Sequence, residues 1–130
     1  MNDPIKKRSV PKTVGWVLSG LLTAFMLFST FGKFSDFPGK TDMFQHLGWS
    51  ESVMFNIGIL EIAIAVLFLI PRVAFLAAVL LTAYLGGAIA THVRVSDDFV
   101  FPVIIGVIYW IALGLRDSRV FALAFGASAK

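Results

Sequence analysis

The sequence predicts an all-α fold, an integral membrane antiparallel four-helix bundle with both termini cytoplasmic. Three observations carry that reading. First, 58% of the 130 residues are hydrophobic and only 15% are charged. Soluble domains keep roughly a quarter of their residues charged to face water, and this chain lacks the means to build such a surface. Second, the mean hydropathy of +0.85 is concentrated in four apolar runs, each near the ~20 residues a helix needs to cross the hydrocarbon core. Third, Lys and Arg are distributed unequally between the segments that join those runs.

The runs occupy about residues 14–31, 53–70, 73–91 and 99–115, within a single membrane domain over 1–130. Span one follows a basic start, IKKRSVPK, as a secretory signal would. Its apolar run is longer than a signal core and STFGKF offers no small-x-small cleavage site, so it reads as a retained helix. An outer loop, 32–52, follows with a Pro38-Gly39 turn. Its Phe34, Phe37, Phe44 and Trp49 suggest that it lies on the membrane surface, with a short interfacial helix near 41–47. Between spans two and three there is only IPRV, where Pro71 stops one helix and the next begins at once. HVRVSDDF joins spans three and four. Asp97 or Asp98 can cap the fourth helix, and Pro102 sits in its first turn, where a missing N–H costs little.

Placing both termini on one side puts Lys6, Lys7, Arg8, Lys12, Arg72, Arg116, Arg119 and Lys130 there. The other side keeps only Lys33, Lys40 and Arg94. Eight against three makes the first side cytoplasmic. The basic KKR start is then a topology determinant in contact with anionic lipid, and nucleic acid is not a partner. A bacterial inner membrane is the expected location. The absence of cysteine excludes disulfides, thiolate metal sites and dithiol redox chemistry.

In a bilayer, helices meet through close packing, so small residues mark their interfaces. Span one offers Gly15, Ser19 and Thr23, span two Gly58 and Ala65, and span three Ala83, Gly87 and Ala90 with Gly86 beside them. The stripe on span three could equally serve a homodimer. Span four has Gly106, Tyr109 and Trp110.

Glu61 stands between Gly58 and Ala65 on one helical face, which turns it toward a neighbouring helix. It lies roughly 12 Å below the outer surface, where an ionised carboxylate costs ~2.5–3.5 kcal/mol or more unless paired or protonated. Intramembrane ionisable residues mark functional sites often enough to favour a polar pocket over a plain structural carboxyl. Lys33 ends span one, and His92 and Arg94 end span three, all at the same boundary. Either cation alone reads as an interfacial anchor; with Glu61 and an imidazole they form a constellation. Tyr84, two turns before His92, can line the same cavity deeper down. Tyr109 and Trp110 read first as packing and second as a ligand wall. The only other histidine, His46, lies in the outer loop, and two histidines without ligand spacing argue against a metal. No nucleophile or substrate-positioning motif accompanies Glu61 and His92, so no catalytic residue is assigned.

The segments FGKF, HLGWSES, GILEIAIAVLFLIPR, LLTAYLGGAIATHVR and FPVIIGVIYWIALGLRD resemble the DoxX-like family of small four-helix membrane proteins, from about residue 15 to 117. The pairing of GILE…IPR with YLGGAIATHVR carries most of that resemblance. It implies a fold and a topology more than an activity. The wider family includes accessory subunits of quinone-linked redox systems. Distant eukaryotic relatives include a nicotinic-receptor assembly chaperone and a cargo receptor. The family pattern also places polar positions where Lys33, Glu61, His92 and Arg94 stand.

Two readings follow. In the first, the chain is a non-catalytic membrane protein whose outward-facing polar pocket binds a hydrophobic or amphipathic ligand such as a lipid. The same pocket could instead serve the assembly of a membrane-protein partner, as a chaperone does. In the second, it is an accessory subunit that holds a quinone for a membrane oxidoreductase, with Glu61 and His92 at the quinone oxygens. A transporter would need an oligomer, and the chain shows no inverted repeat or broken helix.

Overall fold

A computed structural model of the chain describes residues 9–126. The basic 6–8 segment and Lys130, which enter the charge asymmetry, lie outside the described residues. Six helices and no strand make up the described part: α1 (Val10–Phe34), α2 (Lys40–Leu47), α3 (Glu51–Leu69), α4 (Ala74–Arg94), α5 (Val100–Arg116) and α6 (Ser118–Phe125).

The four expected spans correspond to α1, α3, α4 and α5. α1 starts four residues earlier than its hydropathy suggests, because Pro11 falls in its first turn, where no N–H is needed. α1, α3 and α4 are long and apolar enough to cross a membrane, and no more than a third of each is buried within the chain. Their outward faces carry large apolar side chains, Leu21, Phe28 and Phe31 among them. Such faces suit lipid, not water. α5 has 17 residues and counts as a fourth span only together with α6, from which it is bent by 116°.

α1 packs on α3 and α5, and α4 packs on the same two, so the four long helices close a ring. Contacts at its ends show that α1 and α5 run in opposite directions. Gly15 of α1 abuts Ala112 and Arg116 of α5, whereas Lys33 at the other end of α1 meets Glu61 of α3. Aromatic pairs knit the ring: Phe25 with Phe101 at 5.4 Å, Phe68 with Tyr109 at 4.6 Å and Phe75 with Trp110 at 5.8 Å, each edge to face.

The small-residue stripes behave differently from one another. Gly15, Ser19 and Thr23 of α1 are buried, as are Gly58, Glu61 and Ala65 of α3. The expected stripe on α4 is not a packing face in this chain: Ala83, Gly86, Gly87 and Ala90 are exposed. α4 instead buries Ala74, Ala77, Ala78, Leu81 and Leu85, which share one helical face. Position 83 lies two residues from 81, nearly opposite on the helix, so both stripes cannot be buried at once.

The 32–52 loop folds more firmly than its surface character implies. α2 is bounded by Gly39 and Gly48, both with positive φ (84° and 79°), which glycine adopts without strain. Phe44, expected on the membrane surface, is buried. The turn residues Ile70 to Val73 join α3 to α4 directly, and the Asp98 carboxylate accepts from the Val100 N–H at the start of α5.

α6 follows the last apolar run, in a stretch to which no helix is assigned from the sequence. Asp117 caps it by accepting from the Arg119 N–H at 3.1 Å, and Phe121 seats its ring against Gly114 of α5. The only sequence cue to it is a capping Asp before a short apolar repeat, too weak by itself to mark a helix.

Candidate functional site

Near the Lys33 end of the ring, α1, α3, α4 and α5 surround a cavity of about 440 Å³. Lys33, Glu61, Tyr84 and His92 all line it, so four of the seven expected ligand-binding residues come together. Its walls are mostly apolar, with Phe25, Met26, Ile57, Leu85, Phe101 and Ile105.

The Lys33 Nζ donates to Glu61 Oε2 at 2.6 Å and to Ser29 Oγ at 3.1 Å. Glu61 is 2% exposed and Lys33 12%. Each half of this pair is costly alone at that depth, and short charge-assisted hydrogen bonding offsets much of the desolvation. Local sequence sets the geometry. Glu61 is turned inward by Gly58, whose missing side chain lets Phe34 and Thr30 of α1 approach within 3.0 and 3.4 Å of where a Cβ would stand. Ser29 lies one turn before Lys33 and steers its ammonium group along α1.

His92 is partly exposed, yet its Nδ1 is buried without a hydrogen-bond partner. The nearest carboxylate, Asp97, stands 3.8 Å away and is held by His46 Nε2 at 3.0 Å. The two histidines, separate in sequence, therefore converge on one carboxylate. Among the described residues no group of three His, Asp or Glu is placed to hold a metal ion.

Three expected site residues do not reach the cavity. Arg94 follows His92 by two positions, so the helix turns it to another side. There it donates to the Leu47 carbonyl, stacks over Trp49 at 5.8 Å and fills the space beside Gly48. Because Leu47 and Trp49 line the cavity, Arg94 fastens its rim without entering it. Tyr109 is completely buried against Phe68, with no hydrogen-bond partner for its hydroxyl. Trp110 turns to a second groove, where its Nε1 donates to Thr82 Oγ1 at 2.9 Å. Tyr109 and Trp110 are adjacent, and a helix cannot aim both at one cavity.

Sequence reasoning passed over Ser29, Trp49, Met54 and Thr91 of the lining. Ser29 was findable from its spacing to Lys33. Trp49 and Met54 enter through the fold of the 32–52 loop and the start of α3, which spacing does not reveal. What the arrangement offers is an apolar chamber with an ion pair and the His92 side chain in its wall.

The model of the DoxX-like family matches residues 17–112, well over half of the chain. The chain belongs to the DoxX-like family, and it is a multi-pass membrane protein. No curated protein and no solved structure gives a match.

Proposed function

We propose that this DoxX-like protein binds an amphipathic small molecule in the cavity at the Lys33–Glu61 pair, without catalysing a reaction. The observation that carries the reading is the placement of that buried ion pair in the wall of a largely apolar chamber of about 440 Å³. The volume falls within the range of small-molecule sites, which are mostly apolar with a few fixed polar groups. Lys33 and His92 would engage a short polar head, while Phe25, Phe101 and Ile105 cover an apolar body. In this reading α1, α3, α4 and α5 form an antiparallel four-helix bundle in a bacterial inner membrane. Both termini are cytoplasmic and the cavity lies toward the outer leaflet, as the Lys and Arg distribution favours.

A quinone is the second reading, favoured by one feature. The Lys33 ammonium and the His92 ring are two hydrogen-bonding groups on one chamber, as a ring with two carbonyls would use. No electron carrier is supplied by the chain's own residue types, so a partner oxidoreductase would supply one. Service to a membrane-protein partner would work through the same cavity.

Purification in mild detergent, followed by extraction and mass spectrometry, separates these readings. A stoichiometric lipid or other amphiphile supports the first, and a stoichiometric quinone supports the second. If Glu61→Gln changes neither the extracted molecule nor the proteins that co-purify, the cavity is not the working part.

A further inference from the structure

The opposite end of the ring holds a cation of unusual standing. Arg116, the last residue of α5, is only 9% exposed. Its Nη1 donates to Ser19 Oγ at 3.1 Å and to the Phe68 carbonyl at 2.9 Å, and its guanidinium stacks over Trp16 at 3.9 Å. All of these partners are neutral, and its Nε has no hydrogen-bond partner. The adjacent carboxylate, Asp117, is already taken by Arg119, which reaches it at 2.6 Å. A buried charge without a counter-charge is costly, and aromatic stacking offsets only part of that cost.

Arg116 lines a second cavity, of about 600 Å³, whose wall also carries Lys12, Arg72 and Arg119. Four cations there face one carboxylate, Asp117. Beside them α6 turns 116° away from α5, as a helix lying along a membrane boundary would. Its Leu123 reaches the cavity and is 78% exposed. Cationic groups next to an apolar edge suit a molecule with an anionic head and a hydrocarbon tail.

We infer that this cavity binds the phosphate headgroup of an anionic phospholipid from the adjoining leaflet, with Arg116 supplying the inner contact and Lys12 and Arg72 the outer ones. Guanidinium groups match phosphate oxygens with paired hydrogen bonds, and each basic group near an anionic lipid surface adds to the attraction. Inorganic phosphate shares the headgroup chemistry, whereas the exposed apolar edge of α6 favours the lipid as its source. The site stands at the end of the ring opposite the Lys33–Glu61 cavity and does not rest on the function proposed for it.

The test uses the full chain in phosphatidylcholine nanodiscs with and without phosphatidylglycerol, with retained lipid read by native mass spectrometry after detergent transfer. Retention of phosphatidylglycerol over phosphatidylcholine is expected, and it should weaken as salt rises. Lys12→Gln with Arg72→Gln changes two exposed side chains and leaves the packed ends of the helices intact. That pair should lower retention about twenty-five-fold, at roughly five-fold for each basic group removed. Arg116→Gln should also lower it in whatever fraction folds. Equal retention of the two lipids, or no loss in the Lys12/Arg72 variant, overturns the inference. Stabilisation by inorganic phosphate without selective retention of phosphatidylglycerol overturns the lipid as its source.

Discussion

The Lys33–Glu61 pair shows how a charged residue persists inside an apolar helix. Removing one partner leaves the other charge buried, which is the expensive case, while removing both is often close to neutral. Glu61→Gln should therefore destabilise the protein by about 3 kcal/mol, the low end of the range, since Lys33 retains some exposure. Combining it with Lys33→Met should restore most of that loss. Chemical unfolding in detergent of the two single variants and the double variant measures the coupling, and additive losses would show that the pair does not act as a unit. The inward aim of Glu61 was legible from Gly58 and Ala65, because helical spacing alone determines a shared face. The burial of Arg116 was not legible. Its acceptors, Ser19 and the Phe68 carbonyl, lie 97 and 48 positions away, and nothing in the local pattern brings them together.

At the scale of elements, contact depends on where the backbone tolerates a close neighbour. A Cβ at Gly15 would stand 2.8 Å from the Ala112 carbonyl oxygen and 2.9 Å from Arg116, so α1 and α5 would have to separate. Gly15→Ala should cost about 2 kcal/mol by overpacking. Gly20→Ala, which meets nothing within 4 Å on the same helix, should be neutral or slightly stabilising. Thermal melts of both variants in one detergent check the contrast. α6 has a pH-dependent anchor. The Asp117 carboxyl is held below the usual carboxylate range, chiefly by side-chain hydrogen bonds from Arg119. A depressed acid stabilises the folded form above its unfolded pKa of about 3.9 and loses that effect as the pH falls through its lower folded value. Protease sensitivity of α6 should therefore be flat from neutral pH down to about 5 and rise only under stronger acid. Loosening near neutrality would contradict this anchor. Four of the six helices were legible because an apolar run of membrane length is a strong signal, and α2 was anticipated as the short helix near 41–47. α6 was not, because eight residues with a capping Asp resemble an ordinary tail until Gly114 provides a seat for Phe121.

For the whole molecule, orientation and cavity belong to one account. The absence of cysteine makes every introduced thiol a unique label. Asp42→Cys in α2 should react with a membrane-impermeant maleimide added outside spheroplasts, and Arg72→Cys in the α3–α4 turn should react only after lysis. The reverse pattern would invert the topology and place the cavity on the cytoplasmic side. The most direct test of the central claim fills the chamber without touching its charges. Ala88 of α4 lines it and takes no part in the Lys33–Glu61 hydrogen bond. Wild type and Ala88→Phe, purified in parallel and matched for stability, are extracted and their bound amphiphile is quantified by mass spectrometry. The account predicts a near-stoichiometric molecule in the wild type and its loss from Ala88→Phe. Equal amounts in both, or none in the wild type, would contradict it.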